Sequence, residues 1–269
     1  MTDFLAELIG TFIVVLIGIG VAGGVILRGT KANGSGWLTI SIGWGLAYMV
    51  GTYTVFAYSG AHLNPALTLG LAIIGQFSWS EVFVYISGQL LGAIFGAVVV
   101  YLFYLPHWKV TPEGSRKLNV FVTSPALRNT PANLLSELVG TFLFVLGILT
   151  IRTNSFSDGL HPIIIGLIVM AIGMSIGGTT GFAINPARDL GARIAHYLLP
   201  INKKGSSEWG YSWIPVLGPI IGGIYGALFY QSLFLGVFSS SFWIGSIVVF
   251  CIGIWAFLHD KMATQSVRN

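Results

Sequence analysis

Apolar positions gather in seven runs with little or no charge, at about 4–27, 37–57, 81–104, 133–151, 160–178, 213–235 and 242–258. Most are long enough to cross a hydrocarbon layer of ~30 Å as helices, so the pattern predicts an all-α membrane protein. Two stretches break the rhythm, Asn64-Pro65-Ala66 and Asn185-Pro186-Ala187. In each, Asn can cap a helix start, and Pro at the first helical position gives up only an N–H that has no intrahelical partner. The helices they open, Pro65 to Ile74 closed by Gly75 and Pro186 to Leu199 closed by Pro200, are too short to span. Helix starts at membrane depth are tolerated where protein buries them or where they line a wet cavity. One in each half of the chain implies a pore or central site built by both.

Those halves correspond. Glu7-Leu8-Ile9-Gly10-Thr11-Phe12 returns as Glu137-Leu138-Val139-Gly140-Thr141-Phe142, at an offset of 137 − 7 = 130. Gly88, Gly92 and Gly96 return at the same offset as Gly218, Gly222 and Gly226. Glycine at every fourth position makes a smooth face on which another helix backbone can sit closely. Each half therefore reads as three spans plus one re-entrant half-helix, repeat one over about 4–104 and repeat two over about 133–235 of a single channel domain covering 1–269. An odd number of spans per half inverts the second against the first. Glu7 and Glu137 are costly near a membrane interior without partners. Two readings are open for them, a proton relay or a buried acceptor for loop N–H groups, and their repetition favours the structural acceptor.

Composition agrees with the pattern. Charged residues make up 8% of the 269 and apolar ones 54%, with a mean hydropathy of +0.82, whereas soluble domains carry about 25% charge. The first run lacks a basic leader and carries Glu7, so it is not expected to be a cleaved signal. A lone Cys251 excludes an intramolecular disulfide and a cysteine-rich metal site. The net charge of +4 comes without any basic run longer than two residues, which removes nucleic acid as a partner.

Ser59-Gly60-Ala61-His62-Leu63-Asn64-Pro65-Ala66 and Gly181-Phe182-Ala183-Ile184-Asn185-Pro186-Ala187-Arg188-Asp189 resemble the signatures of the major intrinsic proteins, the aquaporins and glycerol facilitators, and the resemblance runs from residue 4 to about 235. It implies an aquaporin-like fold and an aromatic/arginine filter at the outer side of the pore. The glycerol-type filter is a Trp 20 residues before the first Asn, with a Gly 12 before, a Phe three before and an Arg three after the second; here these are Trp44, Gly173, Phe182 and Arg188. Strict water channels carry His where Gly173 stands. Asp189 and Pro219-Ile220 are also similar to the glycerol subgroup.

On this reading Trp44 and Phe182 form an apolar corner for a polyol's carbon chain, Arg188 offers donors to its hydroxyls from the opposite side, and Gly173 leaves room. The segments before each Asn are expected to be extended and to line the pore with the backbone of Gly60, Ala61, His62, Gly181, Phe182 and Ala183. His62 has no second His at ligand spacing, so a structural or pore-mouth role is expected and no metal site.

The implied function is passive conduction of glycerol and other small uncharged solutes, with some water, while protons and ions are excluded. The positive ends of the half-helices, the amides of Asn64 and Asn185, and Arg188 supply that exclusion. A water-selective channel is the alternative, which Gly173 opposes. A coupled secondary transporter shares the inverted repeat, yet the Asn-Pro-Ala loops hold no acid for a coupling ion. No cofactor and no catalytic set is expected.

The resemblance also implies a homotetramer in the cell membrane, in contact with lipid, with the N-terminus cytoplasmic. Positive-inside counting points the other way, since Arg152 is the only cation left to the cytoplasmic side before the final segment. The run 242–258 lies outside the family pattern. Its 17 residues make a helix of ~25 Å with Trp243 and Trp255 near its ends, which predicts an extra C-terminal hydrophobic helix. A tail folded into the cytoplasmic interface is the other reading.

Overall fold

The structure is a computed structural model whose described residues are 1–151, 153–157 and 159–268, with side chains described to 262; Arg152 lies outside them. The first six apolar runs form α1 (Asp3–Ile26), α2 (Trp37–Ser59), α4 (Trp79–Phe103), α7 (Thr130–Ile151), α8 (Leu160–Ser175) and α10 (Ile214–Leu233), of which α8 is the shortest at 16 residues. The half-helices are α3 (Pro65–Ile73) and α9 (Pro186–Leu198). Two short helices that the hydropathy pattern does not reveal, α5 (Leu105–Val110) and α6 (Gly114–Phe121), lie in the connection between the halves. The fifth apolar run is helical only to Ser175, where a 3₁₀ turn at Gly177–Thr179 takes over.

The glycine rows position the spans. A Cβ at Gly92 would lie 2.3 Å from the carbonyl oxygen of Leu8, and one at Gly222 would lie 2.1 Å from that of Leu138, the equivalent residue in the other half. Helices α1 and α4, and likewise α7 and α10, thus touch backbone to backbone. Helices α2 and α8 cross in the same manner where Gly45 and Gly166 face each other's carbonyls. Short side chains also seat the half-helices, Gly70 against Gly223 of α10 and Gly191 against Ala93 of α4.

Helix ends follow local chemistry. Gly60 closes α2 in the left-handed region at φ 73°. Lys204 closes α9, its Nζ donating to the carbonyls of His196, Tyr197 and Leu199 at 2.8, 2.6 and 2.7 Å. A cation there complements the negative end of the helix.

The C-terminal helix α11 (Ser240–Arg268) is longer than the apolar run 242–258 that announces it. It turns back after α10 and packs outside the bundle on α7 and α10, with Phe242 stacked on Tyr225 at 6.2 Å and Ser246 hydroxyl-bonded to Tyr225. Only 17% of its apolar window is buried, against 44–56% for the other five long apolar helices, so most of its surface faces outward.

The pore and its filter

Asn64 and Asn185 start α3 and α9, and each caps its own helix. Oδ1 of Asn64 accepts from Ala66 N at 2.9 Å, and Oδ1 of Asn185 accepts from Ala187 N at 3.0 Å and Arg188 N at 3.2 Å. Each then reaches across to the other motif. Asn64 Nδ2 donates to the carbonyl of Ile184 at 2.8 Å, and Asn185 Nδ2 donates to that of Leu63 at 2.7 Å. The two helix starts therefore meet head to head, Pro65, Ala66, Pro186 and Ala187 are buried behind them, and their positive ends converge.

The segments leading into the Asn residues are not extended, which corrects the expectation from sequence. Gly60, Ala61 and Leu63 have φ of 73, 52 and 51°, and Gly181, Phe182 and Ile184 have 90, 40 and 44°. Positive φ is costly for residues with a Cβ, above all for a β-branched one such as Ile184. The carboxylates hold this backbone in place. Glu7 accepts from Ser59 Oγ at 2.6 Å, His62 N at 2.9 Å, Leu63 N at 2.7 Å and Gln89 Nε2 at 2.7 Å. Glu137 accepts from Ala183 N and Ile184 N, both at 3.0 Å, with the Thr180 side chain beside it.

The four filter positions come together from α2, α8, the segment entering α9 and the first turn of α9. Trp44 fits a hollow left by Gly18, where a Cβ would lie 2.3 Å from the indole. The Arg188 guanidinium does not stand across from this ring, as expected from sequence, but over its face, with Cζ 4.2 Å from the centroid. Its Nη1 is buried and has no protein acceptor among the described residues. A Cβ at Gly173 would lie 2.9 Å from Phe182 Cζ and 3.0 Å from Ser41 Oγ, so the room that glycine leaves is taken up by the Phe182 ring itself.

Sequence reasoning missed Trp37. It packs edge-on against Phe182 at 5.5 Å and donates from Nε1 to the Gly173 carbonyl at 2.8 Å. With Trp44, Arg188, Thr123, Ser124 and Gly181 it lines an outer cavity of about 240 Å³. It is one of several exposed-looking tryptophans near helix ends, and nothing in its neighbourhood in sequence separates it from an interfacial anchor.

Inward of the Asn pair, a cavity of about 10 Å³ is lined by Tyr48, Thr52, Gly60, Ala61, His62 and His161 among others, and a wider one of about 450 Å³ opens beyond it past Phe56 and His161. His62 Nδ1 lies 3.1 Å from Thr68 Oγ1, and its ring is wedged between Phe77 and Tyr85, each at 4.7 Å. Ala183 is buried beside the carboxylate of Glu137. Spacing alone could not pair His62 with His161, because 99 residues separate them.

Asp189 and Arg193, one turn apart on α9, form a fully buried ion pair at 2.8 Å. Asp189 also accepts from Thr123 N and Oγ1 at 2.8 and 2.6 Å, and Arg193 donates to the Ser207 carbonyl at 2.8 Å. The pair ties the α6–α7 and α9–α10 connections to the half-helix that carries Arg188.

This geometry has known counterparts. The profile described as Major intrinsic protein matches residues 1–230, and the chain belongs to that family. Its fold is the aquaporin fold with one helix added at the C-terminus. The chain is 52% identical over 261 residues to the glycerol uptake facilitator protein of Bacillus subtilis (strain 168), covering 97% of this chain and 95% of that protein. It is 53% identical over 234 residues to the probable glycerol uptake facilitator protein of Thermotoga maritima, covering 87% of this chain and 100% of that one. The X-ray structure of the aquaglyceroporin from Plasmodium falciparum superposes with a TM-score of 0.76 at 30% identity, over 87% of this chain and 96% of that chain.

Proposed function

We propose that the protein is a passive membrane channel for glycerol and related small uncharged polyols, with some water. The observation that carries this reading is the outer constriction, where the buried Arg188 Nη1 without a protein acceptor lies over the Trp44 ring in a cavity that Trp37 also lines, and position 173 holds a glycine against which the Phe182 ring packs. A polyol presents hydroxyl oxygens and an apolar carbon edge together, and an arginine donor beside indole and phenyl faces satisfies both. The names borne by the Bacillus and Thermotoga relatives point to the same solute. The water-selective alternative lacks its His at position 173.

In this reading Trp44, Gly173, Phe182 and Arg188 select at the outer side, and Asn64 and Asn185 set the centre. The backbone of Gly60, Ala61, His62, Gly181 and Ala183 lines the path, and Glu7 and Glu137 hold it. The half-helix N-termini and Arg188 oppose protons and cations. No catalytic step is involved. The protein works as a homotetramer, one pore per subunit, in the cell membrane, with its N-terminus cytoplasmic and α11 crossing as a seventh span.

Purified protein in liposomes tests the reading by stopped-flow light scattering under a glycerol gradient, with sucrose as the impermeant control. Glycerol entry faster than in protein-free liposomes is expected, and Gly173→His combined with Phe182→Thr should lower it far more than water entry. Equal loss of both in a well-folded variant refutes the filter roles. For α11, a cysteine at Ser266 in a Cys251→Ser background should react in intact cells with a membrane-impermeant maleimide; reaction only after permeabilisation means that the helix does not cross.

A further inference from the structure

We propose that Tyr48 is a further specificity-determining residue, whose hydroxyl occupies the place of a permeant oxygen at Asn185 and has to be displaced at each passage. The proposal rests on the channel reading above and concerns the centre of the same pore.

Tyr48 follows Trp44 by one turn of α2, and Thr52 and Phe56 continue the row, so spacing by four puts all of them on one face. That face runs along the path of the solute: Trp44 lines the outer cavity, Tyr48 and Thr52 the small central one, and Phe56 the inner one. The Tyr48 ring is buried edge-on against Phe144 at 5.6 Å, which aims its hydroxyl at the Asn pair. There it accepts a hydrogen bond from Asn185 Nδ2 at 2.8 Å.

A carboxamide nitrogen has two hydrogens to give. Asn185 spends one on the Leu63 carbonyl and the other on Tyr48, and Asn64 spends one on the Ile184 carbonyl while its side chain also bonds the Tyr48 hydroxyl. As long as Tyr48 stays in place, Asn185 has nothing left for a passing hydroxyl. The central cavity of about 10 Å³ is at the lower limit for a single water and far below what glycerol fills. The phenol both takes the donor and narrows the space. A solute oxygen that accepts from Asn185 satisfies the amide again, while the displaced Tyr48 hydroxyl stays without its donor. A solute without such an oxygen replaces nothing, so the residue favours hydroxyl-rich permeants over apolar ones of similar width.

The test uses the full-length protein and its Tyr48→Phe and Tyr48→Val variants in liposomes at equal protein density, with water, glycerol and the five-carbon polyol ribitol as permeants. Giving up one buried hydrogen bond at each passage slows it by about fivefold, so Tyr48→Phe is expected to raise glycerol permeability by about that factor at an unchanged ribitol-to-glycerol ratio. Tyr48→Val removes the ring as well and is expected to raise that ratio. Glycerol permeability of Tyr48→Phe at or below the parent's overturns the proposal, whatever Tyr48→Val does, and makes Tyr48 a prop for Asn185. A parent no faster than protein-free vesicles overturns the channel reading and this proposal with it, so the two failures are read from different traces. The Phe variant differs by a single oxygen, and a parent-like elution profile in detergent checks that it is folded.

Discussion

Asn64 and Asn185 open equivalent half-helices, yet the surroundings of the two differ in kind. Four residues after each Asn stands Thr68 in one half and Asp189 in the other. Thr68 joins a network without arginine or lysine, bonding the Asn64 carbonyl, the His62 ring and the Gln89 amide, each at 3.1 Å. Asp189 instead anchors the buried Arg193 and, through Thr123, the connection between the halves. Three residues before each Asn, Ala61 stands opposite Phe182 in the correspondence. The first half thus completes a tight scaffold from its own helices, chiefly around Glu7, while the second draws in outer loops to pair a charge that could not stay buried alone. Duplication supplies a symmetric frame, and the second half, whose half-helix is the more strongly braced, supplies Arg188, Phe182 and Gly173 to the filter while the first supplies Trp44.

The largest expected effect lies at that pair of positions. Asp189→Ala leaves Arg193 buried without its carboxylate and should cost about 3–5 kcal/mol, whereas Thr68→Val should cost about 1–2 kcal/mol. Thermal unfolding in detergent checks this, and equal losses would break the contrast between the halves. Next come the two carboxylates. Glu7→Ala strands four donors, two of them side chains that can turn elsewhere, and Glu137→Ala strands two backbone donors and the Thr180 hydroxyl. The first variant should be the less stable by about 1 kcal/mol, and the reverse order would mean that the second half depends more on its acid.

At the filter, Gly173→Ala drives a methyl into Phe182 and Ser41. Overpacking of about 1–3 kcal/mol shifts the ring toward the pore, and glycerol flux should fall by about tenfold. Adding Phe182→Leu should restore part of it. A flux equal to the parent's in Gly173→Ala would show that Phe182 yields without cost.

The smallest effect is at the exposed pair Arg28–Glu113 between the α1–α2 connection and the start of α6. The Glu113 carboxyl is held below its ordinary value of 4.5 foremost by its own backbone N–H, and by Arg28, against the opposing cost of desolvation. A lowered carboxylate stabilises above the unfolded value and loses that contribution as pH falls through the folded one. Glu113→Gln should therefore differ slightly from the parent at neutral pH and match it once the pH is well below 4.5, which a comparison of unfolding midpoints across pH can check.

Helix starts, span lengths and the pairing of the halves were legible along the chain because each depends on local chemistry: Asn before Pro, glycine at every fourth position, and apolar runs of bilayer length. The run from Phe242 to Leu258 likewise announced its helix by hydropathy alone. Contacts among residues distant in sequence were not legible. Nothing near Trp37 indicates that it braces Phe182, and His161 lines the same cavity as His62 only because α8 folds against α2. The segments expected to be extended before each Asn instead take left-handed φ at several residues, where buried carboxylates from α1 and α7 accept their N–H groups, a constraint that arises only once the spans have packed. Arg188 was identifiable as a pore residue from its place after an Asn-Pro-Ala motif, since a charge at membrane depth requires a reason. Its seat over Trp44, and the arrest of both Asn185 donors by Leu63 and Tyr48, were decided by tertiary packing alone. Sequence determines which groups a helix presents, whereas hydrogen bonds of 2.7–3.0 Å between separate elements depend on where rigid spans come to rest.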